Sequence, residues 1–214
     1  SSNTISVEKI VSLKPGLVRA HGAIHQPVID SADKLGVTVI AFDPSSIDAV
    51  YGEIRQVGAL TGHADEGAQV AANMKARIDA VAAKVSAVPQ QERPRVYWQI
   101  WDEPLMTAGP STFVGQLITL AGGVNIFADL KGSYPQISAE EVVKRNPDVI
   151  MGPDTHGEKL TPEVFKQRSG WADIKAVRDG RIYLIDGNIV SREGPRLADA
   201  VEAVAKALYP ELFQ

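Results

Sequence analysis

The chain contains no cysteine, which excludes disulfides, thiolate metal sites and cysteine nucleophiles together and suits an oxidising compartment. It has no apolar run near the ~20 residues that a membrane-crossing helix needs. Residues 1–4 form a polar lead-in rather than a secretory signal. A basic surplus is missing too: 22 Lys and Arg against 26 Asp and Glu leave a net charge of −4, and no aromatic-basic stripe suggests nucleic acid as a partner. Catalytic signatures are equally scarce, with no Gly-x-x-x-x-Gly-Lys-Ser phosphate loop, no Gly-x-Ser-x-Gly elbow and no His-Glu-x-x-His. Asp102-Glu103 could be imagined as an acid/base pair, but adjacent carboxylates on a loop before Pro104 commonly just cap or solvate it. Gly122-Gly123 is a helix C-cap signal without the pattern of a phosphate cradle. No catalytic residue is expected, and no resident cofactor or bound metal.

What the chain does have is periodicity. Between Ala64 and Val88, the residues Val70, Met74, Ile78, Val81, Val85 and Val88 recur at spacings of three and four, while Glu66, Lys75, Arg77, Asp79 and Lys84 fall on other faces. That pattern predicts one amphipathic helix, with Asp65 as its N-cap and Pro89 as its stop. At 1.5 Å per residue it spans about 37 Å, long enough to act as a strut through a domain.

The stretches on either side of this helix repeat one another. Ser6-Val-Glu-Lys-Ile-Val-Ser-Leu-Lys-Pro-Gly-Leu-Val-Arg-Ala20 aligns with Ser138-Ala-Glu-Glu-Val-Val-Lys-Arg-Asn-Pro-Asp-Val-Ile-Met-Gly152. In each copy a Ser caps a short helix, Glu8 or Glu140 occupies its first turn, and a proline ends it before a buried strand. Ser138 with Glu141 forms a capping box. Two α/β lobes are expected, an N-terminal one over 1–63 and a C-terminal one over 89–214, joined by the helix at 64–88. The second lobe also owns a strand, Arg95 to Trp101, and a helix, Thr112 to Ala121, upstream of its repeat. Only five residues precede Ser6, so the first lobe is expected to be an incomplete part of a longer protein, the alternative being a first lobe that is simply smaller.

Strands at Leu17–Ala20, Val37–Phe42, Arg95–Trp101, the run from Val149 and Arg181–Asp186 alternate with helices at Gln26–Leu35, Ile47–Leu60, Thr112–Ala121 and Arg196–Leu208. Such alternation predicts parallel sheets, whose ligand sites lie beyond the carboxyl ends of the strands. That rule selects His21, Trp101 to Met106, Tyr134, Asp154 to His156, and Asn188 to Glu193. Aromatics, Met and a few polar groups on loops suit a large, partly apolar ligand. Trp98 reads as core, Trp171 as packing a helix end in the Ser-Gly-Trp-Ala-Asp segment, and Trp101 either faces ligand or covers a sheet edge. Tyr134, between Gly and Pro in a turn, reads as exposed. His21 and His25 have the i, i+4 spacing of a metal pair, yet Gly22 and Pro27 argue for a loop or helix start there. His21 and His156 follow matching strands and could meet the metal centre of a chelate.

These residues carry a resemblance. The Ser-x-Glu-x-Ile-Val-x-Leu-Lys-Pro-x-Leu-Val segment, the long central helix, Pro-Leu-x-Thr-Ala-Gly (104–109), Leu-Ala-Gly-Gly-x-Asn-Ile-Phe (120–127), Tyr-Pro-Gln-Ile-Ser-x-Glu (134–140) and Gly-Pro-Arg-Leu (194–197) together resemble the substrate-binding proteins of ABC importers for vitamin B12, iron-siderophores and haem. The resemblance implies an α/β fold of two Rossmann-like lobes with parallel sheets, joined by one rigid helix, the N-terminal lobe incomplete. It further implies a ligand held in the cleft between the lobes and delivery to a permease. It is strongest toward the cobalamin-binding branch, which implies a corrinoid ligand; a ferric siderophore or haem is the alternative, and an enzyme or sensor on the same lobes is less favoured. His21 stands where that branch has a stacking Trp, Ile100 and Met106 where it has Phe, and Tyr134 where it has Trp, so these four depart from its pattern. With Trp101, His156, Asn188 and Arg192 they are the expected ligand contacts. Glu8 and Glu140 match the glutamates that dock on arginines of the permease transmembrane dimer, or else only stabilise their own helices. The implied location is periplasmic or extracellular, with a lipid anchor possible on a longer form.

Overall fold

The computed structural model describes residues 6–155 and 161–214, leaving out the side chains of residues 23 and 24. Its contacts divide the chain into two compact units, Ser1–Pro44 and Ser45–Gln214. The break falls earlier than the 1–63, 64–88 and 89–214 division read from the sequence.

The first unit is a helix followed by a β-α-β unit. Helix α1 (Val7–Ser12) is capped by Ser6, whose Oγ accepts from the Lys9 amide at 3.1 Å. Strands β1 (Val18–His21) and β2 (Val39–Phe42) pair in parallel, with His21 opposite Phe42. Helix α2 (Gly22–Lys34) connects them. It begins four residues before the expected Gln26, because Pro27 is accommodated inside the helix instead of opening it. His21 is therefore the last strand residue and the N-cap of α2 at once, not a loop residue. Its backbone amide donates to His25 Nδ1 at 3.1 Å, so the side chain one turn ahead reaches back to the helix start.

The second unit begins with α3 (Ile47–Leu60) and α4 (Ala64–Ser86). The buried residues of α4 are Gly67, Ala71, Met74, Ile78, Val81 and Val85, alternating steps of four and three that make one continuous seam. Val70 lies off that seam and is 39% exposed, contrary to its place in the sequence pattern. The N-cap is His63, without a side-chain bond, and Asp65 sits in the first turn where the helix dipole favours it. Helices α3 and α4 cross at two glycines: a Cβ on Gly58 would lie 2.7 Å from the His63 carbonyl oxygen and 2.9 Å from Gly67 Cα.

The sheet of this unit is built on β3 (Arg95–Trp101), flanked on one side by β4 (Met106–Thr107) and β5 (Val124–Asn125), and on the other by β6 (Val149–Pro153) and then β7 (Ile182–Ile185). All pairings are parallel except β3 with β4. Residues 96 to 99 of β3 are all buried. Val96 and Trp98 join a core with α3, α4, α5 (Phe113–Leu120) and α10 (Leu197–Leu208). Tyr97 faces the other way, into a core with Phe127, Val142, Phe165 and Trp171. That second layer is made by α6 (Ala139–Arg145), α7 (Pro162–Gln167) and α8 (Lys175–Arg178); α9 (Gly187–Val190) follows β7. Arg77 on α4 pairs with both Asp199 and Glu202 on α10, fastening the long helix to this unit.

The sequence repeat is also a repeat of geometry. Ser138 Oγ accepts from the Glu141 amide at 3.2 Å as Ser6 does from Lys9. The capping box is only half made, since the Glu141 carboxylate takes Arg145 Nε at 2.9 Å instead. Lys14 and Asn146, the matching residues just before Pro15 and Pro147, both have positive φ, 48° and 43°. In the second copy the chain then enters β6 through Asp148, whose carboxylate accepts from the Arg95 amide at 2.9 Å and from Lys175 Nζ at 2.7 Å.

Two outcomes are expected. Gly52 on α3 has open space where a Cβ would go, whereas Gly58 meets backbone. Gly52→Ala should gain about 0.5–1 kcal/mol from helix propensity, while Gly58→Ala should lose about 1–3 kcal/mol to overpacking; urea unfolding of the two variants measures the opposite signs. For Asp148, burial opposes ionisation but is outweighed by Lys175 and the Arg95 amide, so its carboxyl titrates below the ordinary 3.8. Stability from such a group is fully present above the unfolded pKa and lost as the pH falls through the depressed folded one. Asp148→Asn should therefore be less stable than the parent at pH 7, with the gap in urea midpoints closing as the pH falls below about 3.8.

Candidate functional site

At the carboxyl end of β3 the ladder to β4 is irregular between Gln99 and Trp101, and Trp101 pairs with Met106 across a tight hairpin. The bulge turns the Trp101 ring outward, leaving the residue 49% exposed, with Nε1 donating to the Glu103 carbonyl at 3.0 Å. Against this hairpin lies the turn that carries Tyr134. The amides of Thr107 and Gly109 donate to the carbonyls of Pro135 and Ser133 at 3.1 and 2.8 Å, and the Ile137 amide to Leu105 at 2.9 Å. The approach is close enough to demand glycine: a Cβ on Gly109 would stand 2.2 Å from the Gly132 carbonyl oxygen. Two aromatic side chains, Trp101 and Tyr134, thus project from backbones locked to one another.

Tyr134 is 49% exposed, as its turn suggested. Partial burial raises the pKa of its phenol and the Glu193 carboxylate adds to the rise, which brings the loop after α9 into the same neighbourhood. That loop is anchored from β6: Asp154 Oδ1 accepts from the Gly187 amide at 2.8 Å, and a Cβ on Gly187 would strike Thr155. Asp186 caps α9 by accepting from the Asn188 amide at 2.8 Å. Asn188 and Arg192 are both exposed. Met106 is partly buried, and Ile100 is partly buried and packs against the core shared by Trp98, so it points into the fold more than out of it.

In the first unit, His21 ends β1 beside β2. Its Nε2 lies 3.5 Å from Asp43 Oδ1, and its Nδ1 is buried with no hydrogen-bond partner among the described residues. His156 lies outside the described residues. Glu8 and Glu140 are exposed on the first turns of α1 and α6. Each carboxyl is held below its ordinary range by its own backbone amide and then by the capping hydroxyl, Ser6 or Ser138.

Sequence reasoning missed one group. Asp102 does not pair with Glu103 as an acid/base couple; it forms an ion pair with Arg168 and accepts from Gln99 Nε2 at 3.2 Å. Arg168 stands immediately before Ser-Gly-Trp171, and nothing local to either residue signals a partner 66 positions away. Trp98 is a core residue, 1% exposed, as expected, and Trp171, 0% exposed, lies in the core as well. Among the described residues no cluster of three or more His, Asp or Glu is arranged to hold a metal ion, and no helix is long and apolar enough to cross a membrane.

Comparison with known proteins agrees with this architecture. An uncharacterized ABC transporter substrate-binding lipoprotein of Bacillus subtilis is 33% identical, the match covering 98% of this chain and 67% of that protein. A cobalamin-binding protein of Halobacterium salinarum is also 33% identical, over 95% of this chain but only 56% of its own length. The chain thus spans little more than half of that relative. Among solved structures, the periplasmic heme-binding protein of Roseiflexus sp. RS-1 in its apo form superposes with a TM-score of 0.85 at 29% identity, covering 99% of this chain and 81% of that one. Residues 1–189 match the family described as periplasmic binding protein, and the chain belongs to that family.

Proposed function

We propose that this chain is the substrate-binding component of an ABC importer, acting outside the cytoplasm to capture a corrinoid and deliver it to a membrane permease. The carrying observation is the pair of half-exposed aromatics, Trp101 and Tyr134, on hydrogen-bonded neighbouring loops beyond the carboxyl end of β3. A macrocycle offers a broad, partly apolar surface with polar substituents, and fixed aromatic faces suit it because little side-chain freedom is lost on binding. In this reading Trp101, Met106 and Tyr134 contact the ring or its base, and Asn188 and Arg192 contact polar side groups. The metal would be part of the cargo, not a resident cofactor. The relative named for ABC transporter substrate binding supports the importer role, and the relative named for cobalamin supports the corrinoid. Haem is the second reading, favoured by the likeness to the Roseiflexus heme-binding protein; a ferric siderophore is a third ligand of the same kind.

Titration calorimetry with cyanocobalamin, haemin and a ferric siderophore discriminates among them. Truncating a stacking aromatic typically costs about 2 kcal/mol or more, roughly thirtyfold in affinity. Tyr134→Ala should lose that much for the ligand that binds, and unchanged affinity for all three would remove Tyr134 from the site.

Glu8 and Glu140 are assigned to docking on the permease. Both carboxyls are held below the ordinary glutamate range by their own backbone amides and the capping hydroxyls, and a charge-assisted contact with arginine is stronger and more directional than a neutral one. Changing both to Gln should leave fold and ligand affinity nearly intact while weakening association with the permease and its stimulated ATP hydrolysis in reconstituted vesicles. Transport equal to the parent, with unaltered salt dependence, would leave them as helix caps only.

A further inference from the structure

Arg168 ends α7 with its guanidinium 4.8 Å from the ring centroid of Phe165 and 4.6 Å from that of Trp171. Its two terminal nitrogens diverge: Nη1 donates to Gln99 Oε1 at 3.1 Å and Nη2 to Asp102 Oδ1. Gln99 Nε2 donates to the same Asp102 oxygen, and the Tyr97 hydroxyl to Gln99 Oε1 at 3.4 Å. Tyr97 and Gln99 are 0 and 2% exposed, so this polar network starts in the core and ends at the residue next to Trp101. The hairpin itself has only the Gln99–Thr107 and Trp101–Met106 pairings, with an irregularity between them. Such a short, irregular ladder does not by itself fix the direction of an outward-turned side chain.

We infer that Arg168 is the positioning residue of the hairpin: by holding Asp102 against α7 it fixes the direction in which the Trp101 indole is presented to a ligand. The inference rests on the reading of Trp101 as a ligand contact. Arginine suits the task because its planar fork reaches two acceptors at once while its face stacks on aromatics, which a lysine ammonium cannot reproduce. Arg168 touches no ligand itself. It lowers the ordering cost of binding by holding the contact surface in place beforehand.

The test is a double-mutant cycle of Arg168→Met and Trp101→Ala, with cyanocobalamin and haemin as probes in calorimetry. Asp102→Asn, which leaves Arg168 stacked, serves as a second route to the same effect should Arg168→Met fold poorly. Each variant is also quenched with acrylamide in the ligand-free state, where Trp98 and Trp171 are buried and Trp101 is the accessible emitter. Expected are roughly tenfold weaker binding for Arg168→Met, almost no further loss when it is added to Trp101→Ala, the same trend for Asp102→Asn, partial rescue by Arg168→Lys, and changed acrylamide quenching in Arg168→Met and Asp102→Asn alike. Losses from Arg168→Met and Trp101→Ala that simply add, or parental affinity in both Arg168→Met and Asp102→Asn, overturn the positioning role alone. Parental affinity in Trp101→Ala overturns the reading of Trp101 as a contact, and this inference with it. If neither probe binds the parent, the quenching decides: a Trp101 signal identical in parent and Asp102→Asn overturns the inference.

Discussion

A polar group on a strand buried on both faces needs a partner, and that constraint shapes the end of β3. Strand β3 divides its side chains between two cores, Val96 and Trp98 on one side and Tyr97 on the other. Gln99 continues the Tyr97 face while only 2% exposed. An amide buried there without partners would cost about 1–3 kcal/mol. Its oxygen is met by Arg168 and Tyr97 and its nitrogen by Asp102. Satisfying one buried amide therefore ties the end of the central strand to α7, across the layer that holds Phe165 and Trp171.

The parts of this fold that were legible in the sequence are those fixed by local periodicity or by capping. The seam of α4 follows from the spacing of Met74, Ile78, Val81 and Val85, and all four are buried. Ser6 and Ser138 cap the helices they were expected to cap. Helix α2 begins earlier than Pro27, the stronger local signal for a helix start, suggests, because His25 folds back on the His21 amide and lets the helix start at Gly22. The left-handed residues Lys14 and Asn146 could not be read off, since one of them is a lysine in a conformation that lysine seldom adopts. Only the matching positions in both repeats mark it as a feature of the motif.

At the candidate site, the residue types were legible and their mutual support was not. The rule that ligands meet the carboxyl ends of parallel strands selected Trp101 and Tyr134, and both are exposed there. The Pro-Leu-Met-Thr-Ala-Gly motif was recognisable as a string, but its physical reason emerges only when Gly109 is seen against the Gly132 carbonyl. Pairings 24 residues or more apart, such as Gly109 with Ser133 or Gln99 with Arg168, leave no periodic trace in a single sequence. Ile100 shows the opposite failure: it lies beside Trp101 in the chain, but the pleat turns it back onto the core.

The same physics bears on how one local motif can serve two roles in the two copies of the repeat. In each, the glutamate carboxylate accepts from its own amide and interacts with the capping hydroxyl, which lowers its pKa and keeps it ionised. A carboxylate has about four acceptor sites and these contacts use only some of them. What remains faces solvent at the N-terminus of a short helix, restricted in direction by the hydroxyl that holds it. A side chain already held in this way loses less freedom when a cation binds than a free surface glutamate does. Capping is therefore compatible with the docking role proposed for Glu8 and Glu140, since the bonds that stabilise each helix would also leave its charge prepared for a guanidinium.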